Sequence, residues 1–211
     1  MGEPAGLAEG QLRTLDRLSR VPELGGFYLG GGSAVSHHLH HRRSLDLDLF
    51  GAAVADLEPV RAAMVSALGD VRVVAAGPAV LRLVVEATPV DVVRYAYPPL
   101  EPPAPGPGGF PVAGLRDLAA MKLAAVARRG TRRDFWDLFA MVSSGLGLGT
   151  AASAYASRYG LSEPDLYHVA RALTWFADAE ADPVLPAGLT PEVWQRIRAF
   201  FEAEAPRLLL P

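Results

Sequence analysis

Two aspartates, Asp46 and Asp48, alternate with apolar residues in the segment 45–50. Side chains two positions apart in a β-strand share a face, with Cα atoms about 6.6 Å apart, so the two carboxylates are predicted to point the same way. The alternating leucines are predicted to face a core: Leu45, Leu47 and Leu49. Two carboxylates arranged in this way suit a hard cation such as Mg²⁺, which proteins hold with one or two carboxylates plus the phosphates of a substrate.

A glycine-rich turn precedes this pair. Gly31 and Gly32 are followed by Ser33, and the 12 residues 34–45 separate Ser33 from Asp46. Glycine has no Cβ, so the backbone can turn tightly here and come close to a ligand. Ser33 is predicted to be the N-cap of a helix over about 33–41, whose free N–H groups and positive dipole end attract phosphate. The segment is therefore predicted to provide both a phosphate cradle and a metal-binding pair.

A third acid, Asp91, stands among valines 43 positions after Asp48, in a predicted strand over 89–95. A carboxylate in such a strand is costly to bury unless it is paired or bound to a metal. Three carboxylates can hold two Mg²⁺ ions, one activating the attacking oxygen and one stabilising the leaving group. Asp91 is then predicted to be a general base or a shared metal ligand. The alternative is an exposed strand face that carries solvated acids.

Lys122 is the only lysine among 20 basic residues, and it lies in an apolar predicted helix over 115–129. One interpretation is a lysine that extends from a partly buried helix to solvent. The other places its ammonium on a triphosphate, where it neutralises charge in the transition state, with Arg129 on the same helix face.

The next predicted helix, over 132–144, begins with Arg133 and Asp134 and carries Asp137 one turn later. Acids in a first turn can serve the helix dipole alone, and Asp137 could pair with an arginine for structure. The alternative is that they assist at a nucleotide. Four arginines form a basic cluster that could hold nucleotide phosphates or an RNA backbone: Arg128, Arg129, Arg132 and Arg133.

The composition is that of a globular protein with one large domain or two small ones. The 211 residues are half hydrophobic and contain no cysteine, so thiolate chemistry is excluded. A net charge of −3 argues against a general nucleic-acid coat protein. The lack of a long apolar run or a leader predicts neither a membrane span nor a signal peptide, and we expect a cytoplasmic protein.

Hydrophobic periodicity predicts strands and helices in the first hundred residues and helices alone in the last hundred. The Pro/Gly-rich segment 101–111 is predicted to link residues 1–100 to a helical domain, residues 112–211, that contributes to the active site. Thr190 and Pro191 are predicted to begin the last helix as N-cap and first helical residue.

The motif Gly31-Gly32-Ser33 … His41-Arg42-x-Ser44-x-Asp46-x-Asp48 resembles the signature of polymerase-β-like nucleotidyltransferases, and in particular of the AbiEii/AbiGii-type toxins. The similarity covers most of residues 27–142. It implies an α/β (α+β) fold, with a nucleotidyltransferase core in which a mixed sheet is flanked by helices, followed by a helical domain.

The resemblance also implies a function: Mg²⁺-dependent transfer of a nucleotide from an NTP, to tRNA or another RNA in some members, by the toxin of a toxin–antitoxin pair. It implies catalytic roles for Asp46, Asp48, Asp91 and Lys122, the three aspartates holding the metal. The residues expected to bind the nucleotide are Gly31, Gly32, Ser33, Arg42, Ser44, Lys122, Arg129, Arg133, Asp134 and Asp137. Two alternatives stay open: transfer to a small molecule such as an aminoglycoside, and a non-catalytic nucleotide-binding module.

Overall fold

Five short strands form one mixed sheet in the first half of the chain. The computed structural model describes residues 6–52, 56–161, 166–183 and 185–209. The strands are β1 (Phe27–Gly30), β2 (Leu47–Gly51), β3 (Val71–Ala76), β4 (Val80–Val85) and β5 (Thr88–Arg94). Their order is β1-β2-β5-β4-β3, in which β2 and β5 run parallel and every other neighbouring pair is antiparallel. The predicted mixed sheet of an α+β fold is confirmed.

Three helices accompany the sheet: α1 (Glu9–Leu18), α2 (Gly31–Leu39) and α3 (Glu58–Leu68). Helix α1 buries Leu15 and Leu18, α2 buries Ala34 and Val35, and α3 buries Met64. In β2 the side chains of Leu47 and Leu49 are fully buried. The alternating residues of β2, including Asp48, are partly exposed, as the period of two in a strand requires. The core of this unit therefore lies under one face of β2 and leaves the aspartate face open.

The structure corrects the start of β2. Leu45 was expected to face the core, but its side chain is 68% exposed, so that prediction is wrong. The strand begins only at Leu47, because the pairing of this segment with β1 and β5 begins at Asp48 and Leu47. The chain leaves α2 at His40 in a left-handed conformation, and Arg43 forms a bridge to Gly6. The alternation of apolar and acidic residues in the sequence therefore begins two residues before the hydrogen-bonded strand.

The Pro/Gly-rich segment packs into the first unit, which ends at Gly114. It contains a short 3₁₀ helix, Pro107–Gly109, and Gly108 lies so close to α1 that a Cβ there would be 2.6 Å from the backbone nitrogen of Asp16. The side chain of Phe110 is buried as well. These contacts, together with the hydrogen bond from the Leu29 N–H to the Pro111 carbonyl oxygen, hold the segment against α1 and β1.

The second unit, which begins at Leu115, is helical. Its helices are α4 (Leu115–Arg128), α5 (Arg132–Met141), α6 (Leu148–Tyr159), α7 (Leu166–Leu173), α8 (Ala177–Ala181) and α9 (Pro191–Glu204). A π-helical turn, Val142–Leu146, extends α5. The predicted N-cap of α9 is confirmed, since the Thr190 hydroxyl accepts a hydrogen bond from the backbone N–H of Val193.

Aromatic rings form much of the core of the second unit. Phe135 of α5 contacts the rings of Phe176, Trp194 and Phe201, with centroids 5.2–5.9 Å apart. Within the described ranges no single helix is long and apolar enough to cross a membrane; one bent pair, Arg132–Leu146 with Leu148–Tyr159, meets the length and composition criteria only together.

Candidate functional site

Asp48 occupies the centre of a row of three residues across neighbouring strands. In β2 it lies opposite Gly30 of β1 on one side and opposite Asp91 of β5 on the other. Neighbouring strands are about 4.8 Å apart, and residues paired directly across a parallel ladder point to the same face of the sheet. The structure thus brings together two aspartates that are 43 residues apart in the sequence.

Asp46 lies two residues before Asp48, just outside β2. The Ser44 hydroxyl lies 3.3 Å from the Asp46 carboxylate and donates a hydrogen bond to it. The side-chain amide of Gln11 in α1 donates to the Asp46 carbonyl oxygen at 3.4 Å. Both contacts hold the segment that leads into the strand, so Asp46 is positioned although it has no strand partner.

The pKa of Asp91 lies above its usual value. Burial is the largest cause and raises the pKa, while the guanidinium of Arg82, 3.3 Å away, lowers it. The negative charge of Asp46 raises it further. The carboxylates of Asp46 and Asp91 are therefore close enough to repel each other, and their face of the sheet favours a bound cation or a proton.

Gly31 allows the Asp48 carboxylate to take its position. Its φ of +59° lies in the left-handed region, and a Cβ there would be 2.7 Å from Cγ of Asp48 and closer still to the carboxylate oxygen Oδ2. Any other residue would meet both a backbone penalty and a steric clash. The first residue of α2 is thus in direct contact with the central acid.

Ser33 has a different role from the predicted one. The helix begins at Gly31 with Gly30 as N-cap, so the assignment of Ser33 as N-cap is wrong. The fully buried Ser33 hydroxyl donates to the Gly30 carbonyl oxygen at 3.1 Å and accepts from the backbone N–H of Asp48 at 3.5 Å. Because the glycines form the turn, Ser33 does not cap the helix, and its hydroxyl links the turn to β2.

Three other residues expected at a nucleotide lie in the same unit. Gly32, in the first turn of α2, is buried. Arg42 and Ser44 are buried between α2 and β2, where Arg42 donates to the backbone carbonyl of Arg43 at 3.0 Å.

The second unit contains a separate buried ionic network around Lys122. The Lys122 ammonium lies 3.1 Å from Asp134 and 2.8 Å from Asp137, and all three side chains are at most 8% exposed. Arg129 and the Thr131 hydroxyl also donate to Asp134, at 2.9 and 2.7 Å. Four of the five residues that were predicted to bind the nucleotide from the second unit are thus brought together. Arg133 makes no hydrogen bond or ion pair with this network in the stretches of chain that the structure describes.

The charges around Asp134 keep it ionised. Burial is the largest single influence and raises its pKa, but the charge of Lys122 and the hydrogen bonds from Arg129 and Thr131 together lower it to about 2. The basic cluster is split, because Arg132 donates instead to the backbone carbonyls of Asp182 and Glu180.

The three acids of the first unit fit a divalent cation by donor chemistry. Carboxylate oxygens are the ligands that Mg²⁺ prefers, and Gly31 carries no side chain that would displace the Asp48 carboxylate. Among the described residues, no three acidic or histidine side chains are already placed to hold an ion. The fit therefore rests on the strand pairing and on the type of donor.

One residue near this site was not anticipated from the sequence. Arg82 of β4 is paired with Asp91 in the β4–β5 hairpin. A tight turn at Glu86 and Ala87 fixes this pairing, since it places Val85 opposite Thr88 and hence residue 82 opposite residue 91. Locating that turn correctly in the sequence would have revealed the arginine.

Comparisons with known proteins agree on the fold. A family model described as nucleotidyl transferase AbiEii toxin, type IV TA system, matches residues 13–208. An uncharacterized protein of Aquifex aeolicus is 28% identical over 200 residues, which cover 92% of this chain and 95% of that protein.

Two solved structures are similar at low sequence identity. MenT4, a nucleotidyltransferase toxin of Mycobacterium tuberculosis, is 18% identical with a TM-score of 0.59, over 94% of this chain and 85% of that one. JHP933 of Helicobacter pylori is 16% identical with a TM-score of 0.55, over 97% and 95%. At these identities the two structures support the fold alone.

Replacing Gly31 with alanine tests the contact with Asp48. We expect Gly31→Ala to lower the free energy of unfolding by about 1–3 kcal/mol in urea titrations, because the new Cβ meets Asp48 in a strained backbone. Gly149→Ala is the control: Gly149 is an exposed residue of α6 with open space around it, and alanine there should stabilise by up to about 1 kcal/mol. In an Asp48→Ala background the cost of Gly31→Ala should fall. An unchanged cost in that background would contradict the contact.

The lowered pKa of Asp134 predicts a loss of stability in acid. Its folded pKa of about 2 lies below the ordinary 3.8, so its stabilising effect is present above about pH 4 and is lost as the pH falls through 2. Between about pH 5 and pH 2 the unfolding free energy of the parent should fall about 2 kcal/mol further than that of Asp134→Asn. Asp178→Asn, which changes an exposed acid of the same unit, should behave like the parent. Equal pH dependence in the parent and Asp134→Asn would show that the network does not hold Asp134 ionised.

Proposed function

Because this chain belongs to the AbiEii family of nucleotidyl transferase toxins, we propose that Asp46, Asp48 and Asp91 hold Mg²⁺ and that the protein transfers a nucleotide from an NTP to RNA. Membership makes the protein a nucleotidyltransferase toxin. Members of this enzyme family generally use a divalent metal and a nucleotide substrate, and have an antitoxin as partner. The choice of Mg²⁺ and of an RNA acceptor, with tRNA as the first candidate, is our proposal.

The pairing of Asp48 with Asp91 carries the proposal. These residues lie directly opposite each other on parallel strands, next to the backbone of Gly31. Asp46 acts electrostatically on the same site, since its charge raises the pKa of Asp91. The negative charges of Asp46 and Asp91 repel each other, and a bound cation would relieve that repulsion. The arrangement thus favours a metal-binding role for the three acids over an exposed strand face that carries solvated acids.

Each component of the first unit has a proposed role. The backbone N–H groups at the start of α2, from Gly31 to Ser33, would bind phosphate oxygens, because the first N–H groups of a helix have no partner within the helix. Mg²⁺, when bound, would neutralise the phosphates and the developing negative charge. Asp91, which lies directly opposite Asp48, would accept the proton of the attacking hydroxyl as a general base. The hydroxyl oxygen then forms a bond to the α-phosphorus as the bond to pyrophosphate breaks.

The remaining expected contacts stay predictions. For Arg42 and Ser44 we propose a supporting role, since both are buried and Ser44 donates to Asp46. For Lys122, Arg129, Arg133, Asp134 and Asp137 we retain the expected contact with a nucleotide. In the second unit itself, two carboxylates neutralise the Lys122 ammonium and hold it in a fixed position.

An RNA acceptor is favoured over a polycationic small molecule by charge. Arg128 and Arg129 are exposed at the end of α4, and such a surface attracts a polyanion and repels an aminoglycoside. We propose that the reaction occurs in the cytoplasm, where NTPs and RNA are available, and that an antitoxin controls it.

Nucleotide transfer can be tested directly. The purified protein is incubated with each α-labelled NTP and Mg²⁺, in one arm with total RNA and in the other with a panel of aminoglycosides. We expect labelled RNA, and we expect Asp46→Asn, Asp48→Asn and Asp91→Asn each to reduce labelling by about a hundredfold or more, because each removes a charge from the site. Asp70→Asn, which changes an exposed acid of the same unit, is the matched control and should retain activity.

Two results would contradict the proposal. Retained labelling in Asp48→Asn would contradict the assignment of the catalytic site. Labelling confined to an aminoglycoside would contradict the proposal of an RNA acceptor. Circular dichroism of each variant verifies that lost activity is not lost folding.

A further inference from the structure

A cleft of about 360 Å³ opens on the surface of the second unit. One side is the end of α4, with Arg128 and Arg129, and the other is formed by residues from the end of α7 to the start of α8. The charged residues on that second side are Arg171 and Asp178. The volume falls within the range of about 300–1,000 Å³ typical of small-molecule sites. A nucleobase with its sugar and phosphate is a ligand of suitable size.

The cleft contains the most exposed tryptophan of the chain. The side chain of Trp175 is 60% exposed, whereas Trp136 and Trp194 are 8% and 7% exposed. Trp175 makes no ring or cation contact with another side chain in the described ranges. An open indole face is a platform on which bases stack.

Positive charge predominates among the residues that line the cleft. Three arginines and one aspartate line the cleft, in a chain whose net charge is −3. Arg128 and Arg171 are exposed, and neither forms an ion pair with any described carboxylate. Arg129 is already engaged by Asp134. The cleft therefore combines two arginines available to phosphates with one aromatic face available to a base.

We propose that this cleft binds a single-stranded segment of the RNA acceptor. One base stacks on Trp175, and the phosphates on either side bind Arg128 and Arg171. Asp178 accepts a hydrogen bond from an exocyclic amino group of a base, as acidic side chains do when proteins bind nucleic acids. This inference rests on the proposed RNA acceptor and adds where the second unit holds it.

The charge distribution favours RNA over a protein partner. Tryptophan and arginine are also frequent in protein interfaces, but there they are surrounded by a ring of contacts that excludes water. Here Trp175 shares the cleft with Arg128 and Arg171, which have no carboxylate partners in the described chain, and this charge suits a polyanion. A free nucleotide shares this chemistry, so the experiment must separate the two sources.

Trp175 provides its own signal for the test. A short single-stranded RNA is titrated into full-length protein that carries Asp48→Asn, so that no transfer occurs, while tryptophan fluorescence is recorded. Base stacking should quench the fluorescence, and in a filter-binding assay, which does not need the Trp175 signal, Trp175→Ala should weaken RNA binding about five- to a hundredfold. Arg128→Gln and Arg171→Gln should each reduce the slope of log affinity against log salt by about 0.7.

Matched controls are available in the same unit. Tyr167→Ala removes an aromatic ring that is 59% exposed outside the cleft, and Arg196→Gln removes an exposed arginine of α9. Neither variant should change the RNA affinity or its salt dependence. A parallel titration with ATP in place of RNA should give no quenching that depends on Trp175.

The outcomes separate this inference from the proposed function. If RNA is labelled but the cleft variants bind it like the controls, the cleft inference is wrong and the function stands. If ATP alone gives the Trp175-dependent quenching, the site belongs to a nucleotide and the RNA assignment is overturned. If RNA binding is unchanged while Trp175→Ala alters self-association in size-exclusion chromatography, the cleft is a protein interface. If Asp48 proves dispensable for labelling, the catalytic assignment fails independently of RNA binding.

Discussion

The contact between the Asp48 carboxylate and the Gly31 backbone is the constraint on which the rest of the site depends. A side chain at Gly31 would occupy the space that the carboxylate fills. The positive φ of that glycine also lets α2 start immediately after β1, which leaves its first N–H groups at the same turn without helical partners. Ser33 then links this turn to the backbone of Asp48. The geometry of helix, turn and central acid is thus determined together.

The second unit contains buried charges that compensate one another. A buried lysine is costly unless its charge is compensated, and Lys122 has two carboxylates at hydrogen-bonding distance. Their own burial is compensated in turn by Arg129 and Thr131 at Asp134. Removing Lys122 would leave two buried carboxylates without its compensating charge, so the network favours a single arrangement of α4 and α5. The same helix α4 ends at the exposed arginines of the cleft.

Much of the site could be predicted because it depends on local sequence. The alternation in residues 45–50 indicated the strand that carries Asp48, and the valine-rich run indicated the strand that carries Asp91. Where the predictions failed, long-range contacts decided the result. Leu45 lies outside β2 because pairing, and not alternation, determines where a strand begins. The β4–β5 turn lies at Glu86 and Ala87, although proline usually interrupts a strand, because Pro89 is accommodated inside β5. The cleft at Trp175 joins residues about 45 positions apart, which no local pattern reveals.

A crystal structure of this protein with Mn²⁺ and a non-hydrolysable NTP would test the central claim most directly. The three acids of the first unit should hold the ion, with an anomalous peak between the carboxylates of Asp48 and Asp91 that disappears in Asp48→Asn. A peak at another position, or Asp91 still bound only to Arg82 with no ion beside it, would contradict the account.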